Sequence, residues 1–261
     1  MSDRTIDLSV EVPGTVEEVW EAIATGPGIS SWFIPHEVDG REGGEVVMDF
    51  GSFGRETATV ERWEPPHRVV FRGPDSERGG LAYEWLVEAS GGGACVVRLV
   101  NSGFGPGEEW DADFDGMSTG WRIFMENLRL HLTHFRGQVA HALVPTVMTP
   151  GPGVAAWERL CAALGVPASL ETGDHLGTTG QGVPRLAGRV ETAAFAPAVR
   201  TYHLLLDEPA PGTAFVTVEG TGDVVAASAY LYLYGEAPGV DDAWSSWLRS
   251  ALPEVPAPAE A

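Results

Sequence analysis

The sequence contains no lysine, and all sixteen of its basic residues are arginine. Three classes of enzyme depend on a lysine amine: Schiff-base enzymes use it as the nucleophile, P-loop nucleotidases as a phosphate contact, and Ser-Lys hydrolases as the base. None of these enzymes can be built from this chain. A GC-rich coding sequence, which favours arginine codons, accounts for the missing lysines without any functional cause.

Positive charge is scarce as well. The chain has 37 acidic residues against 16 basic ones, which gives a formal net charge of -21. The resulting field repels phosphate backbones and anionic lipid. We therefore expect no nucleic-acid partner.

Cysteines and long apolar runs are also few. Cys95 and Cys161 are the two cysteines, and they fall in what we predict to be different modules, so no disulfide framework is indicated and the cytoplasm is the expected compartment. The N-terminus lacks a basic start followed by an apolar run, and no stretch approaches the roughly 18 apolar residues that span a bilayer. We predict a protein that is neither exported nor membrane-spanning.

The first half of the chain predicts a strand, two helices, a meander and a long helix. Ile6–Val12 alternates apolar and polar residues, Thr15 is placed to cap a helix, and turn residues divide residues 44–100 into five strand-like runs. A long helix is predicted from near Ser118 to Arg136. This order predicts an α+β helix-grip fold, in which a curved antiparallel sheet wraps around the C-terminal helix and leaves a pocket.

The second half repeats this pattern of predicted strands and helices in a shorter form. We predict a helix-grip domain at 1–144, a Pro/Gly linker at 145–153, a second, degenerate α+β module at 154–252 and a disordered tail at 253–261. Residues 58–71 can be laid beside residues 188–202, which suggests a degenerate duplication. Chance similarity is the alternative explanation.

Three stretches resemble a known family. They are VEVPGTVEEVWEAIATGPGISSWFIP at 10–35, ERWEPPHRVVF at 61–71, and GW...LRLHLTHF at 120–135. Over about residues 6–140 the chain resembles the family related to the C-terminal domain of the activator of Hsp90 ATPase, within the START-like, Bet v 1-like (SRPBCC) helix-grip superfamily. The resemblance implies a hydrophobic cavity. Activators of Hsp90 ATPase carry an additional N-terminal domain, and since no such domain precedes residue 6, the resemblance does not by itself imply ATPase activation.

The motif Asp111-Ala-Asp113-Phe-Asp115-Gly116 looks like the opening of a calcium-binding EF-hand loop. The twelfth position of such a loop requires a glutamate, and here it is Arg122. We therefore interpret the segment as a strand with one buried and one solvated face.

Other catalytic and metal motifs are missing. His131 and His134 share a helical face and could hold a metal, but no third ligand is evident nearby. The sequence has no Gly-x-Ser-x-Gly and no Gly-x-Gly-x-x-Gly after a strand. We predict no catalytic residues, no metal and no cofactor.

Aromatic residues are the remaining feature, because an apolar pocket requires them. Core packing is the ordinary role for each one. From the topology we predict a ligand-binding cavity lined by Trp32, Phe33, Met48, Trp85, Arg98, Phe114, Trp121 and Met125. Arg98, paired with an inward Glu84 or Glu88, would orient the polar end of the ligand; the alternative is an outward cross-strand ion pair.

Three functions are compatible with these patterns. The first is non-catalytic binding of a small hydrophobic molecule. The second is a cyclase-, aromatase- or hydrolase-type enzyme that uses the same cavity, with His36, Glu84 and Asp49 as candidate acid-base groups. The third is a protein-interaction or co-chaperone-like module, which would show a broad exposed apolar patch. We expect a monomer or a homodimer.

Overall fold

The computed structural model describes residues 4–51, 54–74, 80–105, 107 and 110–255. Within these residues, alternating apolar residues and intervening turns divide the chain into fourteen strands and five α-helices. The side chains of residues 112 and 113 are not described. Contacts divide the chain into two units, Met1–Ala140 and His141–Ala261.

The first unit has the element order that the sequence predicts. Its elements are β1 (Arg4–Pro13), α1 (Val16–Ala24), α2 (Gly26–Ser30), β2 (His36–Val38), β3 (Glu45–Asp49), β4 (Arg55–Glu64), β5 (Arg68–Arg72), β6 (Ala82–Gly91), β7 (Ala94–Phe104) and α3 (Asp111–His134). Among the described residues, all strands pair antiparallel in one seven-stranded sheet of order β1-β7-β6-β5-β4-β3-β2.

Helix α1 begins where the sequence predicts because Thr15 and Glu18 form a capping box. The Thr15 hydroxyl accepts a hydrogen bond from the Glu18 amide at 3.3 Å, and the Glu18 carboxylate accepts one from the Thr15 amide at 2.8 Å. Two of the unsatisfied amides at the helix start are thereby bonded. The apolar stripe of α1 then buries Val19, Trp20 and Ile23.

Helix α3 begins earlier than predicted, at Asp111 and not near Ser118. The strand interpretation of the acidic segment is therefore wrong for residues 111–115. Carboxylates in a first helical turn are stabilised by the positive end of the helix dipole, and Asp111 also pairs with Arg4. Helix α3 lies against β1 and buries Trp121, Met125, Leu128 and Leu132, whereas Phe124, which the helical spacing of apolar residues groups with them, is only partly buried.

The second unit is built in the same way around a smaller set of elements. These are β8 (His141–Leu143), β9 (Thr146–Pro150), α4 (Gly153–Leu164), β10 (His175–Gly177), β11 (Ala187–Ala196), β12 (Val199–Glu208), β13 (Gly212–Glu219), β14 (Val224–Leu233) and α5 (Val240–Ala251). Among the described residues its sheet has the order β10-β11-β12-β13-β14-β8, with β9 also paired to β14. Trp157, Trp244 and Trp247 lie in its apolar core.

The structure corrects the prediction of a Pro/Gly linker at 145–153. Residues 146–150 form β9, which pairs with β14 from Val224 to Ser228, and α4 starts at Gly153. Proline and glycine in the sequence indicate a break between elements. A proline can nevertheless end an edge strand, because its position there needs no backbone amide to donate a ladder hydrogen bond. Of the predicted tail, residues 253–255 are described, and the Val255 amide donates to the Met148 carbonyl at 2.9 Å. Residues 256–261 lie outside the described residues.

The two units share one topology. In each, an early strand pairs with the last strand of the meander, β1 with β7 and β9 with β14, and a helix follows that last strand. The stretches that resemble each other in sequence, 58–71 and 188–202, lie in the equivalent hairpins β4-β5 and β11-β12. This is the arrangement that a shortened duplication produces.

Within the part of the chain that the structure describes, no helix combines the length and the apolar character needed to cross a bilayer.

Candidate functional site

Trp121, on the inward face of α3, is at the centre of a cluster of aromatic rings. Its ring centroid lies 4.9 Å from that of Phe33, 5.6 Å from Trp85 and 5.7 Å from Tyr83. Phe124, almost one helical turn further along α3, lies 6.4 Å away. The edge-to-face angles of most of these pairs are those that aromatic quadrupoles favour.

The turn after α2 supplies the second layer of this cluster. Trp32 lies 5.5 Å from Trp85, and Phe33 lies 4.4 Å from Phe124. The Trp32 indole N–H donates to the Ala22 carbonyl at 2.9 Å, which anchors the turn to α1. Three segments that are distant in sequence are thus joined by ring contacts.

The rings of the cluster differ in how far they are buried. Trp32, Trp85 and Trp121 are 0%, 3% and 8% exposed. Phe33, Tyr83 and Phe124 are each only partly buried. Part of the surface of these three residues is therefore in contact with solvent.

His36 adds a polar group beside this cluster. Strand β2 pairs His36 with Met48, and the imidazole lies 5.4 Å from the Phe33 ring. Its Nδ1 lies 2.8 Å from the Ile34 carbonyl, and burial lowers the pKa of His36 to about 4. The ring is therefore neutral at pH 7, with Nδ1 donating to the carbonyl and Nε2 available as an acceptor.

Tyr83 is the second polar group of the cluster. Burial, together with the negative charge of Glu56, raises the pKa of Tyr83 to about 12. Its phenol thus stays protonated across the physiological range and can both donate and accept a hydrogen bond.

Most of the residues predicted to line a cavity fall on or next to the cluster. Trp32, Phe33, Trp85 and Trp121 belong to it. Met48 is buried in register with His36, and Met125 is buried one turn after Trp121. Phe114 belongs instead to a group with Phe104, at 5.1 Å between centroids. Their roles as ligand contacts stay predictions.

Arg98 requires a correction, because the structure places it on the other face of the sheet. Its strand neighbours Val97 and Leu99 are buried, whereas Arg98 is exposed and pairs with Asp7 on β1. The guanidinium makes two hydrogen bonds to that carboxylate, at 2.8 and 2.5 Å. Side chains alternate between faces along a strand, so Arg98 cannot share the inward face of Trp85. It forms the outward cross-strand ion pair.

Two of the three candidate acid-base groups also point away from the cluster. Glu84 bonds to Arg68 at 2.6 Å, and Asp49 bonds to Arg55 at 3.0 Å and to the Gly51 amide at 2.9 Å. These contacts hold each carboxylate on the outward face. His36 alone of the three lies against the aromatic rings.

The two helical histidines differ in environment. His131 is buried, and burial lowers its pKa to about 4, whereas His134 is exposed near the end of α3. Among the described residues, no three His, Cys, Asp or Glu side chains lie close enough together to hold a metal ion. Residues 111–115 are helical, so they do not form the open loop that a calcium site of the EF-hand type requires.

Three residues at or beside the cluster were not among the predicted cavity-lining residues: Tyr83, Phe124 and Asn101. Tyr83 stands two residues before Trp85, and this spacing on a strand puts both on one face. Phe124 follows Trp121 at helical spacing. Asn101 carried no signal, because an isolated asparagine in a strand-like run is not distinctive.

The second unit has an open groove of about 770 Å³ between α4, α5 and residues 181–184. Its lining contains one ring and no titratable group: Ala162, Ala163, Gln181, Gly182, Pro184, Ala243, Ser246, Trp247, Ser250 and Ala251. It offers neither the aromatic faces nor the acid-base groups of the first unit.

Comparison with known proteins places the first unit among a described family. Residues 3–136, just over half of the chain, match the sequence model of the family described as polyketide cyclase/dehydrase and lipid transport. The chain is 28% identical over 118 residues to the uncharacterized protein Rv1546 of Mycobacterium tuberculosis, covering 39% of this chain and 81% of that protein.

Solved structures with the same kind of fold are distant in sequence. CalU16 of Micromonospora echinospora is 21% identical, with 49% of this chain and 73% of that chain covered and a TM-score of 0.42. The Aha1 dimer of Colwellia psychrerythraea is 18% identical, with 51% and 99% covered and a TM-score of 0.44. DynU16, from the dynemicin biosynthetic locus, is 17% identical, with 96% and 94% covered and a TM-score of 0.45.

Proposed function

Because the chain belongs to the polyketide cyclase/dehydrase and lipid transport family through residues 3–136, we propose that its first unit binds a small hydrophobic molecule between the sheet and α3. The family description names both catalysis and transport of apolar molecules, so it supports an apolar ligand without deciding between binding and turnover. The proposed activity is binding without chemistry.

The observation that carries this proposal is the partly exposed aromatic cluster around Trp121. The buried rings of Trp32, Trp85 and Trp121 pack against one another, and Phe33, Tyr83 and Phe124 are partly exposed. Apolar pockets of this kind bind ligands by removing aromatic area from water, at about 25 cal/mol for each Å².

The surface of α3 before Trp121 is uncrowded. A Cβ added to Gly116 or Gly120 would meet no heavy atom within 4 Å. Both glycines precede Trp121, and Gly120 is one turn before Phe124. A flat molecule could therefore lie along this part of the helix without displacing side chains.

The first experiment is native mass spectrometry of the protein purified from its own host, followed by denaturing extraction. We expect a hydrophobic compound to co-purify with the protein in stoichiometric amount. Its binding is then measured in a Trp121→Leu variant, with Trp157→Leu as the matched control, since Trp157 is a buried tryptophan of the second unit.

We expect Trp121→Leu to weaken binding by more than about tenfold, because Trp121 contacts four other rings of the cluster. Trp157→Leu should leave the affinity within about twofold. Equal losses in both variants, or protein that binds nothing from a panel of polycyclic aromatics and lipids, would contradict the proposal.

A cyclase-type enzyme is the second candidate, and His36 is the observation that favours it. A neutral imidazole at the edge of an apolar cluster, with Nε2 available, could accept a proton from a bound substrate. If the extracted compound is converted by the purified protein, and His36→Gln abolishes conversion while binding is retained, the enzyme assignment replaces simple binding.

The finer assignment to the activator-of-Hsp90-ATPase-like subfamily remains a proposal, and a co-chaperone role finds less support. Such a role needs a broad exposed apolar patch, whereas the exposed large apolar residues of the described chain are the scattered Val139, Val154 and Phe195. Cys95 and Cys161 are buried thiols that form no disulfide, which fits the proposed cytoplasmic location.

A further inference from the structure

The chain contains only two asparagines, Asn101 and Asn127, and both are fully buried. Asparagine is mostly an exposed residue, so a buried one needs partners for its amide. In Asn101, Nδ2 donates to the Ala82 carbonyl at 3.1 Å. Its Oδ1 has no hydrogen-bond partner among the residues that the structure describes.

Asn101 lies on the same face of the sheet as the aromatic cluster. Asn101 pairs with Tyr83 on β6 and with Ile6 on β1, and directly paired residues in an antiparallel sheet share one face. That face carries Trp85 two residues after Tyr83, and Tyr83 lies 5.7 Å from Trp121. The amide of Asn101 thus lies at the Tyr83 end of the cluster.

The hydrogen bond from Nδ2 also decides which atom of the Asn101 amide is left to interact with a ligand. Because Nδ2 is held by the Ala82 carbonyl, the group left over is an acceptor and not a donor. A buried acceptor without a partner is unfavourable, and a donor that reaches it removes the penalty. A ligand with an O–H or N–H group can supply that donor.

Among the described residues of this unit, no unpaired cation lies in the cluster to hold an acidic ligand. Each described arginine of this unit is paired with a carboxylate, with the exception of Arg122, which is exposed on α3. His36 and Tyr83 are neutral at pH 7. An anionic ligand would lose its hydration without gaining a counter-charge.

We propose that Asn101 is a specificity-determining residue, which selects a neutral aromatic ligand carrying a hydrogen-bond donor and disfavours both its donor-free and its anionic analogues. The inference rests on the proposed function, because it names the class of molecule that the cluster around Trp121 takes.

The test uses three probes that share one ring system: 2-naphthol, 2-methoxynaphthalene and 2-naphthoate. Their affinities for the full chain are measured by isothermal titration calorimetry at pH 7. The variants are Asn101→Leu, which removes the acceptor at similar volume, and Asn101→Val as a second apolar replacement suited to a strand. Ser102→Ala is the matched control, because Ser102 is the next residue on the same strand and points to the other face.

We expect the wild-type protein to bind 2-naphthol about tenfold tighter than 2-methoxynaphthalene, which is the effect of one net hydrogen bond. This ratio should fall to near one in both Asn101 variants and stay unchanged in Ser102→Ala. 2-Naphthoate should bind most weakly to every form. Thermal unfolding identifies any variant that fails to fold. If one Asn101 variant does not fold, the affinities are measured with the other.

The failures are distinguishable. If all three probes bind the wild-type protein equally, or if the preference for 2-naphthol survives in the Asn101 variants, the inference is overturned and the proposed function stands. If 2-naphthoate binds tightest, the claim of a neutral ligand is wrong. If none of the probes binds, the proposed function itself is contradicted, and the inference with it.

Discussion

Acid should destabilise the first unit through His131. Its pKa in the folded chain is about 4, below the ordinary 6.5, because burial disfavours the charged ring. A histidine with a lowered folded pKa contributes stability that is fully present above the unfolded pKa and is lost as the pH falls below about 6.5 toward 4. The whole effect is about 3 kcal/mol, at about 1.4 kcal/mol for each pH unit between the two values. Between pH 7 and pH 5 the expected loss is about 2 kcal/mol.

The assay is urea unfolding of the wild-type chain and of His131→Leu at pH 7 and pH 5. Carboxylates titrate in both proteins, so the difference between the two pH dependences isolates His131. We expect the pH-dependent loss to be smaller by about 2 kcal/mol in His131→Leu. His134→Gln, an exposed residue on the same helix, is the control. His36 and the carboxylates still titrate in the variant. A pH dependence as large in His131→Leu as in the wild-type chain, or an NMR titration that places the His131 pKa near 6.5, would refute the reasoning.

Three further predictions concern stability, each measured by urea unfolding at pH 7. Thr15→Ala removes the capping box and should lower the free energy of unfolding by about 1 kcal/mol. Gly103→Ala should lower it by more than about 2 kcal/mol, because φ is +94° and the new Cβ would lie 2.4 Å from the Gly80 carbonyl oxygen; Gly54→Ala, with φ of +100° and open space, should lose less. Arg98→Ala should change it by under about 1 kcal/mol, since its ion pair is solvent-exposed. A larger loss at Arg98 than at Gly103 would show that the faces of β7 are assigned wrongly.

Elements defined by local signals were predictable. The capping box at Thr15, the five strands between residues 44 and 100, and the helix of Trp121 all appear where turn residues and apolar spacing indicate them. Two segments were predicted wrongly, because their local residue pattern indicates one structure and their tertiary contacts impose another. Residues 111–115 alternate like a strand but continue α3, and residues 145–153 look like a linker but contain β9.

The candidate site was predictable in part. Trp32, Phe33, Trp85 and Trp121 were named from the topology, and they do form one cluster. Arg98 was named with them and lies on the other face. Strand register decides this, since a shift by one residue moves every side chain to the opposite face, and register depends on pairing with β1 and β6, not on the residues of β7 alone.

The sequence by itself determined the types of elements, their order and the chemistry that the protein lacks. Spacing of apolar residues and punctuating turns act locally, and an absent lysine is absent in any fold. Only the tertiary structure decided which side chains meet. The sheet brings residues 83, 85 and 101 onto one face, α3 places Trp121 against it, and the turn after α2 adds Phe33. Burial then follows from those contacts, and it is burial that keeps His36 neutral and leaves the Asn101 oxygen without a partner in the described chain.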